Sequence, residues 1–206
     1  RCYATFSGDL APALMVLDAE VEIAGAGGVR RIPVRDLYDR TGDGIRRLTL
    51  APGELLVAVH LPPTARQFRA SYLKLRIRPS FDFPELGVAV AARTDGDRVE
   101  ELRLALGGLE TYPRRFDELT APMAGQRWSE ERIRALAAAL SAAVRPVRNT
   151  SLAPDYRKRM AGVYLQRAID RMRRPGRVSD GAGLRAGRRS AASRPRGDRS
   201  AACRRA

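Results

Sequence analysis

Apolar residues recur along this chain in two rhythms. A helical rhythm runs over residues 10–19, LAPALMVLDA, with Asp9 placed where an N-cap stands. It returns over 129–144, an Ala-rich stretch opened by Ser129, Glu130 and Glu131. It returns again over 154–173, where Met160, Val163, Tyr164, Ala168 and Met172 have helical spacing. Between these lie runs of strand character. VEIAG and VRRIP flank a Gly-rich stretch at 25–28 and predict a hairpin. PVRDLY reads as one helical turn begun by Pro33, and 39–47 as a polar loop. Glu54 to Leu61 alternates, with Leu55, Val57, Val59 and Leu61 on one face and Glu54, Ala58 and His60 on the other. Pro62 and Pro63 end that run; strands resume at 68–77, 86–92 and 99–106, the last two joined across Asp95-Gly96 as a hairpin. The runs within 52–108 read as ordinary antiparallel sheet.

One connector departs from this regularity. Between the strands at 68–77 and 86–92 the chain sets Lys74, Arg76, Arg78, Phe81, Asp82 and Phe83 close together. Cations, aromatics and an acid beside a sheet end suit a loop lying over a planar anionic ligand.

Composition changes the picture only in part. The formal net charge of +15 suggests a nucleic-acid partner, but residues 174–206 hold ten Arg and two Asp, a net of +8. The rest of the chain carries about +7, an ordinary basic surface. The Arg-rich tail has almost no large apolar residues and no aromatics for stacking on bases, so disorder is expected there and a nucleic-acid role is not. Two cysteines, Cys2 and Cys203, near opposite ends, form no metal-spaced pair and no disulfide framework, which points to a cytoplasmic protein. No apolar run approaches the ~20 residues that span a bilayer.

Candidate chemistry is sparse. His60 is the only histidine, so a nucleophile–base pair would depend on it, and its place on the polar face of a strand favours a structural role. No P-loop or GxGxxG motif is present. Two readings stand for Asp9, a helix cap or a polar group orienting a ligand. Two stand for Lys74, a solvated strand-end lysine or a cation meeting an anionic ring edge or phosphate. Cys2 alone is a small half-buried residue or a free thiol.

Five segments in one order over residues 5–170 carry a resemblance: SGDLAPALMVLDAEVEI with RRIPVRDLY, LAPGELLVAVHLP, YLKLRIRPSFDFPELGVAVA, LRLALGGLETYPRR and DYRKRMAGVYLQRAI. The chain resembles the FAD-binding medium subunits of the xanthine dehydrogenase group of molybdenum hydroxylases, with the 4-hydroxybenzoyl-CoA reductase β subunit as the nearest subfamily. The resemblance implies an α+β fold. Residues 1–65 would form the second half of a PCMH-type FAD-binding domain. Residues 66–173 would form a CO dehydrogenase flavoprotein C-terminal-like domain of antiparallel sheet and helices, and 174–206 the disordered tail. It implies a subunit whose FAD passes electrons between an external partner and the 2Fe–2S clusters of a small companion subunit, with the molybdenum cofactor on a large one. It implies three FAD contacts: Asp9 from an S-D-x-x-P-like element, here written SGD; Leu56 packing on the flavin; and Lys74 of a Y-x-K strand near the isoalloxazine, with residues 75–85 screening the ring. In the named subfamily a cysteine-bearing insertion holds a 4Fe–4S cluster, which makes Cys2 a candidate metal ligand. The family's glycine-rich pyrophosphate elements do not occur in this sequence, so an N-terminally truncated member that holds FAD poorly by itself is expected. The alternative is a subunit-docking module without a redox role.

Overall fold

The computed structural model describes residues 2–79, 81–148 and 150–174. The expected disordered tail beyond Arg174, with Cys203, lies outside the described residues. The elements run α1 (Leu10–Val16), β1 (Glu20–Gly25), β2 (Gly28–Pro33), a 3-10 turn at Val34–Asp36, β3 (Leu55–His60), β4 (Arg69–Leu75), β5 (Leu86–Asp95), β6 (Arg98–Gly107), β7 (Arg114–Arg115), α2 (Asp117–Thr120), α3 (Glu130–Ala143) and α4 (Pro154–Arg173).

The strand-like runs at 52–108 are antiparallel and divide between two sheets. β3 leaves β4 and pairs antiparallel with β1, giving a sheet of order β2-β1-β3; the second sheet has order β4-β5-β6-β7. The hairpins at 25–28 and at Asp95-Gly96 form as expected. Pro62 and Pro63 deny β3 a direct continuation into β4, and residues 63–67 fill the gap as a 3-10 segment.

β5 shows how sequence alternation builds two cores from one strand. Leu86, Val88, Val90 and Ala92 face one way and join Leu104, Leu106, Phe116, Leu140, Leu165 and Ile169 beneath α3 and α4. Ala89 and Ala91 face the other way and, with Ala105, meet Met15, Val16, Val21 and Ile23 of α1 and β1. The small side chains on this second face let α1 lie close to the four-stranded sheet.

Helix α3 begins as its sequence predicts, with the Ser129 side chain accepting from the Arg132 N–H at 3.2 Å. Helix α1 is shorter than its apolar pattern. It stops at Val16 because Asp18 adopts φ 52°, a left-handed turn that Asp tolerates. The β3 alternation is present but not covered: Leu55, Val57, Val59 and Leu61 are 70, 52, 44 and 53 % exposed and belong to neither hydrophobic cluster.

Candidate functional site

The site grows from the α1-facing side of the four-stranded sheet. Tyr72 and Lys74, two apart on β4, project from the same face. Lys74 pairs in register with Gly87 of β5, and the absent side chain there leaves room for the Tyr72 ring. A Cβ on Gly87 would sit 2.6 Å from the Tyr72 hydroxyl oxygen. Into this position the start of α1 brings Asp9. The Tyr72 hydroxyl donates to Asp9 Oδ1 at 2.7 Å, and Lys74 Nζ donates to Oδ2 at 2.7 Å.

Asp9 holds the N-cap position of α1, but its side chain makes no capping bond and turns instead to β4. Lys74 is not a free strand-end lysine; its side chain is 19 % exposed and ion-paired, while Asp9 keeps 45 % exposure. Burial pushes the Tyr72 phenol far above its ordinary pKa, and the Asp9 carboxylate, which a phenolate would repel, pushes the same way. Tyr72 thus stays a proton donor, and one carboxylate is held by two donors. Sequence reading missed Tyr72, although it is the first residue of the Y-x-K element that singled out Lys74.

The loop after β4 carries exposed apolar side chains. Ile77, Phe81 and Phe83 are 53, 88 and 68 % exposed, and Leu10 beside Asp9 is 74 % exposed. Asp82 folds the loop on itself. It accepts from the Arg78 guanidinium at 2.9 Å and from the N–H groups of Arg78 and Phe83. The Arg78 guanidinium and then its N–H hold the Asp82 carboxyl well below the usual carboxylate range. Glu85 N–H donates to Leu75 O at 2.9 Å and closes the loop base.

The other two expected site residues stand apart. Leu56 is 43 % exposed on β3, in the other sheet, opposite Ile23. Cys2 is a half-buried free thiol whose N–H donates to Asp43 Oδ1 at 2.9 Å and whose Sγ accepts from the Ala4 N–H at 3.4 Å. Among the described residues no group of three or more His, Cys, Asp or Glu could hold a metal ion. His60 Nε2 lies 2.9 Å from Glu22 Oε2, a carboxylate that Arg31 also engages.

Two larger clefts lie elsewhere. One of about 680 Å³ is lined by Arg69, Trp128, Asp170 and Arg173, and one of about 690 Å³ by Arg35, Tyr112, Arg114 and Arg115. Most of their cations are already engaged. Arg69 caps the carbonyls of Arg173 and Arg174, Arg173 lies over the Trp128 ring, and Arg114 and Arg115 pair with carboxylates.

Gly87→Ala tests the packing that holds Asp9. The new methyl forces the Tyr72 hydroxyl off the carboxylate, and overpacking of this kind costs about 1–3 kcal/mol. In a Tyr72→Phe background the nearest clashing atom is gone, so the same substitution should cost measurably less. Thermal melts of the four proteins check this; equal losses in both backgrounds contradict it.

The family model of the FAD binding domain in molybdopterin dehydrogenase matches residues 2–64, and that of the CO dehydrogenase flavoprotein C-terminal domain matches residues 70–172. The chain is 39 % identical over 124 residues to the aldehyde oxidoreductase FAD-binding subunit PaoB of Escherichia coli K12, covering 59 % of this chain and 37 % of that one. It is 29 % identical over 167 residues to the carbon monoxide dehydrogenase medium chain of Afipia carboxidovorans, covering 80 % and 56 %. The reconstituted CO dehydrogenase from Oligotropha carboxidovorans superposes with a TM-score of 0.70 at 26 % identity, over 80 % of this chain and 56 % of that one. The chain thus spans 37–56 % of the length of these relatives.

Proposed function

This chain belongs to the FAD-binding subunits of the xanthine dehydrogenase and CO dehydrogenase family of molybdenum hydroxylases, and from that premise we propose that it forms the ring-facing part of a flavin site in an electron-transfer subunit. One observation carries the proposal. A carboxylate from the region matched by the FAD-binding model, Asp9, and a lysine from the region matched by the C-terminal model, Lys74, meet at 2.7 Å beside an aromatic loop.

The residues present fit one end of FAD and not the other. A fixed carboxylate–ammonium pair suits the polar edge of an isoalloxazine, and the exposed Phe81, Phe83 and Ile77 suit its apolar faces. No glycine-rich phosphate loop occurs in the sequence. When bound, FAD supplies the redox chemistry. Lys74 would favour negative charge at the ring edge, Asp9 would hold Lys74 in place, Leu56 would add apolar contact, and residues 75–85 would exclude water. The division near residue 65 is proposed as the boundary between the FAD-binding and C-terminal domains. Electrons would pass to 2Fe–2S clusters of a small companion subunit from, or on to, an external partner, with the molybdenum cofactor on a large subunit.

Flavin titration tests this. If the chain holds the ring and not the phosphates, FAD, FMN and lumiflavin should quench on binding with similar affinity, Kd on the order of 10 µM or weaker, and Asp9→Ala should weaken binding of all three alike. Tight stoichiometric FAD together with no response to lumiflavin would contradict the proposal. The finer assignment to 4-hydroxybenzoyl-CoA reductase, with a 4Fe–4S cluster on Cys2, rests on the Asp9 stretch and on the spacing around Tyr72 and Lys74. Iron analysis and the visible spectrum of an anaerobically purified protein that carries further cysteines ahead of Cys2 test it, and an iron content unchanged by Cys2→Ser removes Cys2 as a ligand.

A further inference from the structure

Helix α4 carries a charged residue where its pattern calls for an apolar one. Arg157, Ala161, Leu165, Ala168 and Met172 form one buried stripe, and Arg157 is 0 % exposed. A fully buried guanidinium is costly unless its donors are used. Here they are spread over three carbonyls in two segments: Nη1 donates to Gly108 O at 2.8 Å, Nε to Leu152 O at 3.2 Å and Nη2 to Val147 O. Arg157 therefore ties the linker between α3 and α4 to the turn after β6. Val147 N–H donating to Leu109 O at 2.9 Å adds a second tie.

That turn supports both halves of the Asp9–Lys74 pair. Gly108 N–H donates to Phe6 O, and Phe6 N–H donates to Glu110 O, each at 2.9 Å. The segment that delivers Asp9, three residues on, is laid against the turn. On its other side Gly108, at φ +82°, packs so closely that a Cβ would meet Glu85 C and Leu86 N and Cα at 3.0 Å. These are the last residue of the aromatic loop and the first of β5, whose next residue, Gly87, pairs with Lys74. Glu85 completes the arrangement. Its Oε2 is buried with no hydrogen-bond partner among the described residues, and its charge acts on the Arg157 guanidinium.

We propose that Arg157 is a positioning residue for the Asp9–Lys74 site, acting through the 108–110 turn to hold the Asp9 segment and the base of the 76–85 loop in mutual register. The inference rests on the flavin reading for its significance, but the geometry it describes is tested without flavin. The sequence contains two lysines, Lys74 and Lys158. Acylation with limiting acetic anhydride, read by peptide mass spectrometry as the ratio of Lys74 acetylation to that of an added reference lysine peptide, reports how well Asp9 protects Lys74. Asp9→Asn fixes the released value.

Arg157→Met and Arg157→Lys should each raise the ratio toward that of Asp9→Asn, by about fivefold for a loss on the scale of one or two ordinary interactions. Lysine keeps the charge beside Glu85 but cannot span three carbonyls as a fork does, so its rise should be the smaller. Leu136→Ala, a core change in α3, controls for general destabilisation and should leave the ratio within about twofold. If Arg157→Met fails to fold, Arg157→Lys decides. A ratio unchanged from wild type in the folded Arg157 variants, or raised equally by Leu136→Ala, overturns the proposal. Flavin titration of the same proteins is read separately: a normal labelling response with no flavin binding by wild type would remove the flavin reading and leave Arg157 as the organiser of the pair.

Discussion

Arg103→Met should lower the stability of the chain by about 2–3 kcal/mol, and Asp18→Asn by about 1. The asymmetry follows from what each change leaves behind. Arg103 is 7 % exposed and lies 3.9 Å over the Phe68 ring. It pairs with Asp18 at 2.7 Å and Glu101 at 2.6 Å and donates to Val16 O at 3.2 Å. Removing it strips a carbonyl at the end of α1, two carboxylates and an aromatic face at once. Asp18, by contrast, is 41 % exposed, so its charge is partly screened, and after its loss Arg103 keeps Glu101 and Arg115 keeps Asp117. Asn also tolerates the φ of 52° at this position, so the substitution adds no backbone strain. For a domain of this size the Arg103 change should appear as a fall of roughly 4–12 °C in Tm. Melts and denaturant titrations of both variants measure the difference. A larger loss for Asp18→Asn than for Arg103→Met would show that Asp18, not Arg103, is the organising charge.

These residues also mark where the sequence stops being readable. Local signals served well wherever partners are near in the chain: Ser129 caps α3, Asp95-Gly96 turns β5 into β6, and the Gly-rich stretch turns β1 into β2. The end of α1 is different. Its apolar pattern runs to Ala19, but the helix stops at Val16 because Asp18 is drawn to Arg103 and Arg115 across the molecule. Pairing between strands not joined by a tight turn was likewise invisible. β3 alternates as a strand should, yet nothing in its period says that it pairs with β1 and not β4. At the candidate site the pattern marked Asp9 and Lys74 separately, and only a family resemblance placed both near one ligand. Their contact, and the Tyr72 hydroxyl that completes it, depend on a sequence separation of more than sixty residues. Arg157 left one trace, an arginine on the apolar stripe of α4, hidden by the helical spacing of its apolar neighbours.

The Asp9–Lys74 contact turns a one-signed expectation into a cycle. A lone lysine near a flavin would favour the anionic reduced ring by Coulomb attraction, and its removal would lower the reduction potential. Here the ammonium is already paired, so each single substitution uncovers the opposite charge. In a flavin-loaded protein, Lys74→Met leaves a bare carboxylate and should lower the potential. Asp9→Asn leaves an unpaired ammonium and should raise it. The double variant, with neither charge, should return close to wild type. Asp9 is 45 % exposed, so solvent cuts the interaction well below its buried limit. A shift of about 30 mV in each direction, roughly 1.4 kcal/mol for a two-electron couple, is the expected scale. Redox titration of the four proteins, with circular dichroism as the fold control, measures it. Shifts of the same sign in both single variants would mean that the fold and not the charge is being read. Four equal potentials in four equally folded proteins would make the pair a structural tie with no hold on the flavin.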